Sequence, residues 1–179
     1  MAEWTDPMSE ADRKQASVDL LGLLAYAELT AFERLAVDAS LAPNLVDKAA
    51  LGAMAVAEFG HYEVLHERLA SIGVEPTAAM TPFVGPLDAF HDSTTPADWL
   101  ESLVKAYVGD GFAADFYREV AELMDEATRS LVGDVLDDTG HAEFALAHVR
   151  SAIEADPAVA RGVAVWARRL VGEALVQAQ

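Results

Sequence analysis

Two short segments of the chain share a spacing suited to holding metal ions. Glu58-Phe59-Gly60-His61 and Asp138-Thr139-Gly140-His141 both read acid-x-Gly-His. On a helix, positions i and i+3 lie on one face, so each pair can present a carboxylate and an imidazole to the same ion. Neutral imidazole and carboxylate suit ferrous iron or manganese. Two more acids, Glu28 and Asp110, sit in otherwise apolar surroundings. The chain has no cysteine, which excludes disulfides, thiolate zinc sites, iron–sulfur clusters and cysteine nucleophiles.

These residues need long helices to bring them to one level, and the sequence supplies the signals. Ser9 with Asp12 starts a helix that runs to about Ala42, before Pro43. Asn44 with Asp47 starts a second, which stops at Gly73. Thr95, Pro96 and Asp98 start a third, ending near Met124. A fourth begins at Asp125 or Glu126 and ends before Asp156-Pro157, which caps a fifth. The first two helices are joined tightly, and so are the third and fourth. The long segment between the second and third holds Pro76, Pro82 and Pro86, so it is expected to cross over along the bundle, packed on it. The predicted fold is all-α, with two antiparallel hairpins, one long crossover and a C-terminal fifth helix, as one domain over residues 9–179 after a short tail.

The inward stripes carry charge only near their middles. They read Leu21, Leu24, Glu28, Ala31, Leu35; Leu51, Met54, Glu58, His61, Leu65; Leu103, Ala106, Asp110, Ala113, Tyr117; and Leu131, Val135, Asp138, Ala142, Ala145, with His141 beside the last. A buried carboxylate without a partner is costly. No Lys or Arg falls on these stripes at that level, so a bound cation is the economical partner. Ala25-Tyr26-Ala27-Glu28 also echoes Ala106-Tyr107-Val108-Gly109-Asp110, so the two hairpins read as a diverged repeat.

On these residues the chain resembles the ferritin-like di-iron carboxylate superfamily over roughly Asp19 to Arg150. The Ala-Glu-Phe-Gly-His, Val-Gly-Asp-Gly and Asp-Thr-Gly-His segments look most like actinobacterial ferritin-like proteins classed as similar to the tRNA hydroxylase MiaE. The resemblance implies a four-helix bundle binding two Fe ions, or Mn, with Glu28, Glu58, His61, Asp110, Asp138 and His141 as ligands. It also implies dioxygen activation as a hydroxylase or monooxygenase, with an external electron donor. Asp110 and Asp138 depart from the Glu usual in the superfamily and reach one methylene less far. Gly109 and Gly111 flank Asp110 and could admit a helical bulge, or Asp110 could cap a restarting helix.

Two other readings stand beside the hydroxylase: an iron-binding or detoxification protein, and a metal-free helical scaffold. With 12 Lys+Arg against 30 Asp+Glu, the net charge of −18 favours a small-molecule substrate over modified tRNA. Arg161, Arg168 and Arg169 form the one basic cluster, read as intramolecular pairs or an interface. Trp166, Leu170 and Leu175 give the last helix an apolar stripe suited to a homodimer. No apolar run approaches membrane-spanning length, and Met1 to Glu10 shows no basic-then-apolar leader, so a cytoplasmic location is expected. His66 and His148 are expected to be partly exposed and His91 to lie in a loop. Tyr26, Tyr107 and Tyr117 are expected near the site.

Overall fold

A computed structural model describes residues 9–137 and 140–177. The elements in chain order are α1 (Glu10–Asp38), a short 3-10 turn (Ala39–Leu41), α2 (Leu45–Ser71), α3 (Pro76–Ser93), α4 (Trp99–Ala121), α5 (Glu126–Leu136), α6 (Gly140–Ala155) and α7 (Val159–Gln177). Among the described residues there is no strand. The protein is all-α, as the periodicity predicts.

Local chemistry explains most boundaries. The Ser9 side chain accepts from the Asp12 backbone while the Asp12 side chain accepts from the Ser9 backbone, a reciprocal capping box. Asn44 caps α2 by accepting from the Val46 and Asp47 amides. At the other end of α2, Gly73 adopts φ 78°, the Val74 amide reaches back to the Leu69 carbonyl at 3.0 Å and the Gly73 amide to Ala70 at 3.0 Å. That left-handed closure favours glycine, and it turns the chain sharply out of the helix.

The expected crossover packs along α1, and three expectations about the helices are corrected. The crossover is helical over most of its length, as α3. Proline removes an amide donor and crowds the carbonyl four residues back. Pro82 and Pro86 lie four apart on the exposed side of α3, where the carbonyls they leave unbonded can meet water. The third predicted helix starts later than Thr95. Asp98 is its cap, accepting from the Glu101 amide at 2.9 Å. That α4 helix runs unbroken through Gly109, Asp110 and Gly111, with neither a bulge nor a restart in its backbone. The fourth predicted helix is described as two, α5 and α6, with α5 ending at Leu136.

The core lies in two main apolar clusters. One gathers Leu21, Leu24, Leu65, Leu69, Tyr117, Ala121 and Val132 from α1, α2, α4 and α5. The other gathers Leu35, Leu51, Ala55, Leu103 and Ala145 from α1, α2, α4 and α6. Along α1, Glu28 falls between the two, and along α2 so do Glu58 and His61. A third, smaller cluster seats α7 on α4 through Val104, Trp166 and Leu170. The Trp166 indole donates to the Glu101 carbonyl at 2.8 Å, and Arg169 donates to the Ser93 carbonyl at 2.7 Å. Trp166 and Leu170 are therefore buried within the chain, while Leu175 is 52% exposed. α3 lies along α1, and the two backbones approach closely at Gly22. A methyl group there would collide with the Ala79 carbonyl oxygen and stand 2.7 Å from its carbon.

Candidate metal centre

Between the two main clusters, three helices deliver polar side chains to one level. α1 supplies Glu28, α2 supplies Glu58 and His61, and α6 supplies His141 from its first turn. Glu28, Glu58 and His61 each offer one ligand atom, and these atoms lie within 4.8 Å of one another. His61 Nδ1 stands 3.4 Å from Glu28 Oε2 and 3.5 Å from Glu58 Oε2. His141 Nδ1 stands 2.9 Å from Glu58 Oε1. Glu58 thus turns one carboxylate oxygen to each histidine. The structure brings these four residues together, and the acid-x-Gly-His spacing on α2 places Glu58 and His61 on the same inward face. The Asp110 side chain and all of Asp138 lie outside the described residues.

The electrostatics are those of crowded acids in a dry place. Burial pushes the Glu28 carboxyl well above the usual range, despite a hydrogen bond to His61 that pulls it down. Burial would raise Glu58 too, but hydrogen bonds to His141, His61 and Glu28 outweigh it and hold Glu58 well below the usual range. His61 rises to about 10, mainly through hydrogen bonds to Glu28 and Glu58. The acids are thus balanced by imidazoles rather than by Lys or Arg. A compact set of two carboxylates and imidazole nitrogen, all from rigid helices, is a donor set suited to a divalent transition metal.

The cluster opens onto a cavity of about 210 Å³. His61 and Tyr117 line it, together with Leu87, Phe90 and His91 of α3. Burial, and then the charge on Glu28, push the Tyr117 phenol up to about 12, so it stays protonated. Of the other tyrosines, Tyr26 donates to Asp88 Oδ1 at 2.7 Å and ties α1 to α3, while Tyr107 is exposed. His66 is partly exposed, and so is His148, which pairs with Asp47 at 3.0 Å.

Sequence reasoning missed part of the cavity wall. Arg34, Asp38 and Lys105 also line it. Arg34 follows Ala31 by three residues and Lys105 adjoins Ala106, so both flank the inward stripes, but the cavity they face forms only where α1 and α4 pack. His91 is not a loop residue but lies in α3, with a buried Nδ1 that has no hydrogen-bond partner. Burial first, then the charges of Lys105 and Arg34, bring its imidazole down from 6.5 to about 4, against an opposite push from Asp88.

That depression predicts an acid sensitivity. The unfolded chain takes up a proton at His91 below pH 6.5, which the fold refuses until about pH 4. Stability is therefore lost as pH falls through that window. Between pH 7 and pH 4 the wild type should lose about 2 kcal/mol more than His91→Gln, a reduced figure that allows for partial exposure. Urea unfolding at both pH values checks it; equal losses would mean that His91 titrates normally in the fold.

A bundle of long helices with acids and histidines meeting at mid-height is the architecture of ferritin-like proteins. The family model of the ferritin-like domain of actinomycetes matches residues 11–179, and the chain belongs to that family. No curated protein matches the chain. No helix among the described residues is long and apolar enough to cross a membrane.

Proposed function

We propose that the protein is a di-metal carboxylate protein, with iron the best-suited metal and manganese the alternative, and that it acts as an oxidoreductase on a small molecule in the adjoining cavity. The observation that carries this reading is the meeting of Glu28, Glu58 and His61 within one ion's reach at the wall of a cavity. Glu28, Glu58, His61 and His141 would hold the metals, joined by Asp110 and Asp138. Glu58 turns each of its two oxygens to a different histidine, so it would contribute a ligand beside both. Bound iron would supply dioxygen activation, the chemistry that the resemblance of the sequence to di-iron carboxylate proteins implies, with electrons from an external donor. The chain's own part is to position the ligands on rigid helices and to keep the site dry between two apolar clusters. Tyr117 keeps its proton at the cavity wall, where it can donate a hydrogen bond.

Anaerobic Fe(II) titration of the metal-free protein, followed by exposure to oxygen and measurement of charge-transfer absorption, tests the reading. About two equivalents bound with a new absorption band on oxidation support it, and no binding overturns it. Two equivalents bound without substrate oxidation would instead favour metal handling. The close pairing of His141 with Glu58 at 2.9 Å is the observation that favours a metal-free scaffold, because the polar groups satisfy one another.

The substrate class follows from charge. A surface that docks tRNA neutralises several phosphates, and its affinity falls steeply with salt. With net charge −18, this protein should bind bulk tRNA no more tightly than about 100 µM at physiological salt. Fluorescence anisotropy at two salt concentrations measures this. Tight, salt-sensitive binding lost in an Arg161, Arg168 and Arg169 triple variant would restore modified tRNA as the substrate.

A further inference from the structure

The cavity has a second polar region that the metal centre does not use. Arg34, Asp38, His91 and Lys105 line the same space as Glu28 and His61. Arg34 makes no hydrogen bond or ion pair among the described residues, and its Nε is buried without a partner. Lys105 is 7% exposed. It donates to the neutral Thr94 carbonyl at 2.9 Å, and its ammonium lies 5.8 Å from the centre of the Phe90 ring. Asp38 is the acid whose charge acts on both cations, yet it forms no ion pair with either among the described residues. The His91 Nδ1 faces no partner either.

Burying a cation is costly unless an anion or a full set of hydrogen bonds compensates it. Here neither cation has an acid partner: of the acids that line the cavity, Asp38 forms no ion pair with either among the described residues, and Glu28 and Glu58 face His61 and His141. The rest of the wall nearby is apolar, with Leu35, Leu87 and Phe90. Such a lining holds a hydrocarbon body and fixes one polar head. An anionic head would supply the partner that the buried Arg34 Nε and the carbonyl-bound Lys105 lack, and a planar guanidinium suits a carboxylate.

We infer that Arg34 and Lys105, with His91, form a subsite for the carboxylate of a small apolar acid whose hydrocarbon body lies along Leu87 and Phe90 in the cavity of the metal centre. This deepens the proposed function and rests on its reading of the cavity as a substrate pocket. The acid's head would bind Arg34 and Lys105, leaving the apolar body as the part open to oxidation. The raised cost of a charged Lys105, whose amine is brought down to about 8 chiefly by burial, would be relieved when the anion arrives.

Calorimetric titration of the full chain, freed of metal by chelator and gel filtration, tests the inference with hexanoate and hexan-1-ol as probes. Hexanoate should bind about tenfold more tightly than the alcohol, the effect of a charge-assisted hydrogen bond. Arg34→Gln and Lys105→Met should each remove most of that preference without weakening the alcohol. Asp38→Asn should tighten hexanoate at pH 7, because a competing negative charge is gone; a merely structural role for these residues would not produce that gain. Equal affinities for acid and alcohol, or no binding of either, overturn the inference. So does hexanoate binding that survives Arg34→Gln but disappears in His61→Ala, which would seat the anion on the metal cluster. Metal titration of Arg34→Gln separates the two proposals. Full metal binding with hexanoate affinity lost supports the subsite, whereas hexanoate binding to a wild type that takes up no metal sinks only the metal reading.

Discussion

Glu58→Ala should lower the affinity for Fe(II) or Mn(II) by at least about a hundredfold, more than the loss of an outer hydrogen-bond partner costs. The expectation follows from its central position. One oxygen of Glu58 faces His61 at 3.5 Å and the other faces His141 at 2.9 Å, so under the proposed function its loss would remove one ligand and leave two others without the carboxylate that orients them. His61→Ala should be milder, because Glu28 and Glu58 remain side by side. Glu58→Gln keeps the side-chain volume and serves as the control for folding. Asp115→Asn, an exposed acid on the same protein, should leave metal binding unchanged. Anaerobic titration of the four variants ranks them. Equal affinity in Glu58→Ala and Asp115→Asn would show that metal, if it binds, sits elsewhere.

Gly22→Ala should destabilise the fold by about 2 kcal/mol or more, although alanine is the better helix former. The new methyl group would meet a carbonyl oxygen of α3, and backbone cannot rotate out of the way as a side chain can. α1 and α3 must then separate, and α3 carries Leu87, Phe90 and His91 of the cavity wall. Gly22→Val should cost still more. Gly52→Ala, in open space on α2, should instead stabilise by up to about 1 kcal/mol. Urea unfolding of the three variants decides it. A stabilised Gly22→Ala would mean that α3 is not clamped against α1.

The sequence made the site legible where helical spacing alone decides position. Glu28, Glu58 and His61 are read from single helices, because i and i+3 or i and i+7 must share a face whatever the neighbours do. The same logic located Leu21, Leu24 and Leu65 in the core. It did not show that the crossover is the helix α3, because the cost of prolines inside a helix depends on which side of it meets water, a tertiary fact. His91 was misplaced for the same reason. Arg34, Asp38 and Lys105 come from two helices and face one cavity only after α1 and α4 have packed, so no single periodicity announces them. The later start of α4 turns on which of several capping residues wins, and Asp98 accepts from Glu101 where Thr95 was the expected cap.

The placement of the polar level between two apolar clusters has a consequence for how the protein can vary. The molecule behaves as two oil drops threaded on shared helices and separated by a hydrophilic waist. A change that loosens packing around Leu35 need not be felt around Leu65, because the two sets share no buried contact cluster. Each end can therefore drift in sequence on its own. The waist cannot, since whatever widens it pulls both drops apart, and an ion held there would act as a rivet through the whole bundle.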